Sequence, residues 1–184
     1  MIRQGVILLS LILFAGCTKN AITGRKQISL FPEAALQQQA LSQYNEFLSK
    51  SKVIPVSGSK DAEMVKRVGS RIATAITTYY AKKGIKNDLS GYKWEFKLVD
   101  DNQINAWCMP GGKVVVYTGL LPVTQNEAAL AVVLGHEITH AIARHGNERM
   151  SQVAIAQGLQ VAGDAYTQNM SKTNAIFNNI FGPA

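Results

Sequence analysis

The chain has 184 residues, enough for one domain with a sizeable core. Hydrophobic residues make up 47% and charged residues 17%, a balance that excludes a disordered chain. The formal charge is +7, but the basic residues are scattered in runs no longer than Lys82-Lys83 and lack interleaved aromatics, which argues against a nucleic-acid partner.

Arg3 is the only charge before an apolar run from Val6 to Phe14. That run is too short to span a bilayer and reads as the n-region and h-region of a signal peptide. Phe14-Ala15-Gly16-Cys17 resembles a bacterial lipobox. The resemblance implies that residues 1–16 are removed, that Cys17 carries lipid, and that the membrane is reached through that lipid. An ordinary signal peptide is the competing reading. Thr18, where Asp would signal retention, implies the periplasmic face of the outer membrane. Without Arg3 the net charge is +6, and anionic lipid headgroups suit it better than nucleic acid. With Cys17 lipidated, Cys108 has no partner for an internal disulfide and reads as a small buried or half-buried residue.

Residues 17–31 read as a polar, lipid-anchored tether, and residues 32–184 as one domain. Pro32 suits a helix start, and Leu36, Ala40, Tyr44 and Phe47/Leu48 keep helical spacing. Val53 to Ser59, with Pro55 and Gly58, reads as a loop. Ser59 caps a second helix along Met64/Val65, Val68, Ile72, Ile76 and Tyr79/Tyr80, which Gly84 ends. Tyr92 to Val99 alternates as a strand does, and Ile104 to Met109 is a short extended piece. Pro110-Gly111-Gly112 is a tight turn before a further strand, Val114 to Thr118. A small antiparallel sheet is expected, packed beside the helix that follows. Its edge strand could pair with an extended peptide, or serve only as a structural layer.

Asn126 to His145 is that helix. Thr124 and Glu127 have capping-box spacing, and Gly146 supplies a stop. At its centre lies His136-Glu137-Ile138-Thr139-His140, an H-E-x-x-H pattern. Histidines four apart project from one face, so both imidazoles can reach one Zn²⁺ at about 2.0–2.1 Å. Glu137 stands about 100° round from His136, beside the metal and placed to take a proton from a water that the metal activates. A buried helix with two accidental histidines is the bland alternative. Against it, all three histidines of the chain fall within these ten residues, and an apolar surround would penalise unpaired imidazoles and a carboxylate. Beyond Gly146 another helix is expected from Glu148 to about Tyr166. The tail carries Ile176, Phe177, Ile180 and Phe181, which look exposed, so a longer natural protein is expected.

HEITH, the preceding NEAALAVVLG, the following AIARHGNERMS and the upstream NAWCMPGGKVVVYTGLL together resemble peptidase family M48, which covers Ste-type, HtpX-like and Oma-type proteases. TGRKQISLFPE resembles the bacterial lipoprotein branch of the Oma-type group. The likeness runs from about Thr23 to Met150. It implies a gluzincin-like metallopeptidase domain, α+β and mostly helical, with one Zn²⁺ per chain. His136 and His140 would be metal ligands, Glu137 the catalytic base, and Asn105 and Ala106 part of an edge strand that binds substrate. The implied activity is a zinc metalloendopeptidase acting on envelope proteins, with protein or peptide substrates.

One departure matters. The family's third ligand is a Glu in a downstream E-x-x-x-D motif, and none follows His140, where Glu148 and Asp164 are the only carboxylates. Glu148 would lie about 12 Å along a continuous helix, and His145 about 140° round it and so facing elsewhere. A chain truncated before its last ligand is the expectation. The alternative function is a non-catalytic envelope assembly or chaperone-like lipoprotein that retains the HExxH helix.

Overall fold

The computed structural model describes residues 17–156 and 170–181. Residues 1–16, read as a signal segment, and Asp164 lie outside the described residues. The first element among the described residues is a hairpin of β1 (Cys17–Lys19) and antiparallel β2 (Lys26–Ile28). The segment read as a polar tether is therefore folded and docked. Asn20 Nδ2 donates to the Ala143 carbonyl at 2.9 Å, and the Leu30 amide donates to Ser151 Oγ at 2.9 Å.

Helix α1 (Glu33–Lys50) buries Leu36, Ala40 and Tyr44, four residues apart on one face. Helix α2 (Lys60–Lys82) is capped by Ser59, whose hydroxyl accepts from the Ala62 amide at 3.2 Å. Gly84 follows with φ +71°, the left-handed stop that glycine permits. Between these helices Val53–Ile54, read as loop, forms the short strand β3.

The main sheet has the order β3-β4-β6-β5, with β4 (Glu95–Val99), β5 (Ala106–Met109) and β6 (Lys113–Tyr117). The expected antiparallel sheet is in fact mixed. β5 and β6 form the hairpin that Pro110-Gly111-Gly112 suggests, but β6 enters between β4 and β5 and runs parallel to β4. Every residue of β6 is buried, as befits a central strand covered on both faces. Buried Lys113 is satisfied by the Lys93 carbonyl at 2.8 Å and by the Glu95 carboxylate.

The sheet separates two apolar cores. On one face α2 and α4 (Glu127–Ile142) pack Val65, Val68, Leu130, Leu134 and Ile138 against Phe96, Leu98, Val114 and Val116. On the other, α1, α5 (His145–Ala156) and α6 (Met170–Phe181) pack Tyr44, Met150 and Phe177 against Val99, Met109, Val115 and Tyr117. Ile176 and Phe177, expected to be exposed, are buried here because α6 has a partner in α5. No helix among the described residues is long and apolar enough to cross a membrane.

Candidate active site

The helix that carries the HExxH pattern begins one turn differently from the expected capping box. Thr124 closes a short helix, α3 (Leu121–Thr124), and its hydroxyl donates to the Leu121 carbonyl at 3.2 Å. Gln125 turns the chain at φ +61°, and Asn126 becomes the cap, its Oδ1 accepting from the Ala129 amide at 2.9 Å. Glu127 instead pairs with Arg67. Leu130, Leu134, Ile138 and Ala141 then follow helical spacing into the core. The same spacing turns His136 and His140 outward beside β5.

The two imidazoles face one another. Their Nε2 atoms are 3.0 Å apart, with the rings edge to face at 77°. Two nitrogens on a tetrahedral zinc ion, each at about 2.0–2.1 Å, lie about 3.3 Å from each other. The observed pair is within a few tenths of an ångström of that, so His136 and His140 fit the ion. Glu137 is half-buried beside them, and burial raises its carboxyl above the ordinary value of 4.5 while the two histidines oppose the shift. Burial pushes the Cys108 thiol well up, and the nearby Glu137 carboxylate adds to the shift. A raised thiol is little ionised at neutral pH, in keeping with a packing residue.

The helix does not end at Gly146. It ends at Ile142, and Arg144 makes the turn at φ +57°, a conformation costly for a residue with a Cβ. Several contacts hold this turn. Tyr92 Oη donates to the Ala141 carbonyl at 3.0 Å, Asn20 holds Ala143, and Arg144 lies 3.8 Å from Glu33. Gly146 sits inside the first turn of α5, where an added Cβ would meet the Phe181 ring at 1.9 Å. It is glycine for close packing, not for a helix stop.

This break changes two expectations. His145, expected to face elsewhere, comes back against His140, with Nδ1 to Nδ1 at 2.7 Å. The angle of about 140° applies only to a continuous helix. Glu148 is brought near as well, but Arg25 takes both of its oxygens, one at 2.8 Å. Its side chain is 12% exposed and is held by Arg25 as an ion pair within the fold. Among the described residues no group of three or more His, Cys, Asp or Glu side chains is placed to hold a metal.

A groove of about 280 Å³ opens over the histidines. Trp107, Cys108 and Met109 of β5 form one wall, and Arg149, Ile180 and Phe181 form another. Neither Asn105 nor Ala106 lines it. The backbone of β5 nevertheless forms an open sheet edge, since β6 is its only strand partner among the described residues. Asn105 is bonded to the Tyr117 amide at 3.0 Å, so antiparallel alternation turns the peptide groups of Ala106 and Cys108 away from β6. Sequence reasoning missed Trp107, which packs against Tyr44 and Phe47 of α1, and Ile180 and Phe181, which reach the groove from α6, packed on α5.

Known proteins share this stretch. The chain is 36% identical over 96 residues to the mitochondrial metalloendopeptidase OMA1 of Schizosaccharomyces pombe, covering 48% of this chain and 28% of that one. It is 48% identical over 52 residues to the β-barrel assembly-enhancing protease of Yersinia pestis, covering 28% of this chain and 11% of that one. The metalloprotease YcaL of Escherichia coli is 28% identical over 109 residues, covering 59% of this chain and 39% of that one. The chain thus spans well under half the length of each of these relatives. The model of Peptidase family M48 matches residues 59–184, more than half of the chain and all of the groove's lining residues. The chain belongs to peptidase family M48.

Proposed function

We propose that this chain carries the HExxH core of a zinc-dependent metalloendopeptidase that cleaves proteins of the bacterial envelope. In this reading lipid on Cys17 holds the protein at the periplasmic face of the outer membrane, and one zinc binds per chain. The observation that carries it is the pair of facing Nε2 atoms on His136 and His140, with half-buried Glu137 beside them and an open strand edge alongside. Family membership and the protease names of the relatives support the same reading. The lipobox resemblance supports the anchor.

His136 and His140 hold the ion. When bound, zinc supplies Lewis acidity, making water more acidic and polarising a substrate carbonyl. The substrate backbone lies extended along β5, where the free peptide groups of Ala106 and Cys108 pair with it and fix its register. Asn105 starts that edge. Glu137 takes a proton from the attacking water, whose oxygen joins the carbonyl carbon. As the C–N bond breaks, Glu137 returns the proton to the departing amine. A carboxyl raised by burial suits both halves of this exchange, because it accepts a proton readily and gives it up again.

The test is the Glu137→Gln variant of the full protein in its own membranes. It keeps about one zinc per chain and loses cleavage by about 10²–10⁴-fold. Undiminished cleavage would sink the mechanism. The second reading, a non-catalytic assembly lipoprotein, draws on the two-histidine metal face found among the described residues. Under it, Glu137→Gln leaves cells unaffected while deletion of the protein does not.

A further inference from the structure

We propose that His145 sets the tautomer and orientation of His140, and through them the metal affinity of the site, by accepting a hydrogen bond from His140 Nδ1–H. The inference rests on the metal-binding reading above and goes beyond the HExxH residues themselves.

The two ring nitrogens of His140 face different neighbours. Nε2 lies 3.0 Å from His136 Nε2, and Nδ1 lies 2.7 Å from His145 Nδ1. His145 therefore stands on the far side of the ring from the metal-facing pair and is not a third ligand through that contact. Two imidazole nitrogens at hydrogen-bond distance share a single proton. A nitrogen that ligates a metal must carry none. With His140 Nε2 turned to the metal, its proton sits on Nδ1, and His145 Nδ1 is the acceptor that keeps it there. A fixed tautomer and ring orientation are what hydrogen-bond partners of ligand histidines commonly supply.

The contact is built into the fold. It exists because the helix breaks at Arg144, at φ +57°, and α5 starts afresh with His145. That break is secured from three sides. Asn20 of the N-terminal hairpin holds Ala143, Glu33 of α1 faces Arg144, and the Phe181 ring of α6 closes on Gly146. The docked N-terminal segment thus helps to place His145, and His145 places His140.

The test compares zinc affinity, by chelator competition, in the full chain and its His145→Ala and His145→Asn variants. Asparagine puts Oδ1 about where His145 Nδ1 sits, so it keeps the acceptor. His145→Ala should weaken zinc binding about 10–100-fold, and His145→Asn should stay within a few-fold of the parent. Circular dichroism of the metal-free variants confirms that both fold. Nitrogen NMR of the zinc-loaded parent should find His140 protonated at Nδ1. Parent-like affinity in His145→Ala overturns the proposal while leaving the metal site standing. So does equal loss in both variants, because the acceptor would then not be what matters. A parent chain that takes up no zinc removes the metal-binding reading itself, and this proposal with it.

Discussion

The two faces of the mixed sheet are built differently. On the α2/α4 face, the core is made by residues between Ala62 and Ile138, in long helices whose apolar spacing is continuous. On the other face, α1, α5 and α6 bring together residues as distant as Phe31 and Phe177. The first face supplies a rigid bed for the histidines. The second supplies the groove's far wall, through Ile180 and Phe181, and the break that returns His145. The facing histidines thus sit on a helix with continuous apolar spacing, while the residues that shape access depend on contacts between segments as distant as Phe31 and Phe177. This is the division expected if the site needs rigidity at the reacting atoms and can tolerate more motion at its wall.

Truncations of the largest buried side chains test that division most directly. Leu134→Ala, in a side chain with 0% exposure, should cost about 2–5 kcal/mol and lower the unfolding temperature of the whole domain. Phe177→Ala, also at 0% exposure, should cost about 3–5 kcal/mol of α6 docking. Hydrogen exchange should show that second loss confined mainly to α5 and α6. Uniform loss of protection in both variants would mean that the faces unfold as one unit.

A matched pair of glycines sharpens the comparison. An added Cβ meets the Phe96 ring at 2.2 Å from Gly69 and the Phe181 ring at 1.9 Å from Gly146. Phe96 is buried in the central part of the sheet, whereas Phe181 is only half-buried, on the wall of the groove. Gly69→Ala should cost about 1–3 kcal/mol, and Gly146→Ala less, despite the shorter contact. Thermal unfolding of the two variants decides it, and a larger drop at Gly146 would reverse the assignment of rigidity.

Smaller effects are expected at α4's start. Asn126→Ala should destabilise by about 1 kcal/mol, because the Ala129 amide loses its acceptor, while Thr124→Ala leaves that cap intact. The smallest concerns acid. The hydrogen bond from Lys113 holds the Glu95 carboxyl below 4.5, with further help from its charge. A carboxyl lowered in the folded state adds stability that is present above the unfolded value of about 4.5 and lost as pH falls through the folded value. Glu95→Gln should therefore flatten the acid limb of a stability-against-pH curve, an effect softened by solvent because the side chain is 45% exposed.

Much of the site is legible in the residues themselves. The four-residue spacing of His136 and His140 needs only a helix, and the apolar spacing around them specifies one. Ser59 and Gly84 bound α2 as local chemistry predicts, and NAWCMPGGKVVVY reads as a hairpin beside the HExxH helix. These are properties of neighbouring residues, so sequence carries them. The expected cap at Thr124 fails because a preceding four-residue helix uses that hydroxyl, leaving Asn126 as the acceptor for the first turn. The expected stop at Gly146 fails because glycine is needed there to admit a ring, and a non-glycine residue, Arg144, is forced into the left-handed turn instead.

What the sequence alone determined about this protein is the helix, the facing histidines, the adjacent carboxylate and the family. The tertiary structure decided which way β6 enters the sheet, that Arg25 takes Glu148, and that His145 returns to His140. Each of those depends on partners far apart in the chain, and local propensity holds no information about which distant group will satisfy a strand edge, a carboxylate or a ring nitrogen.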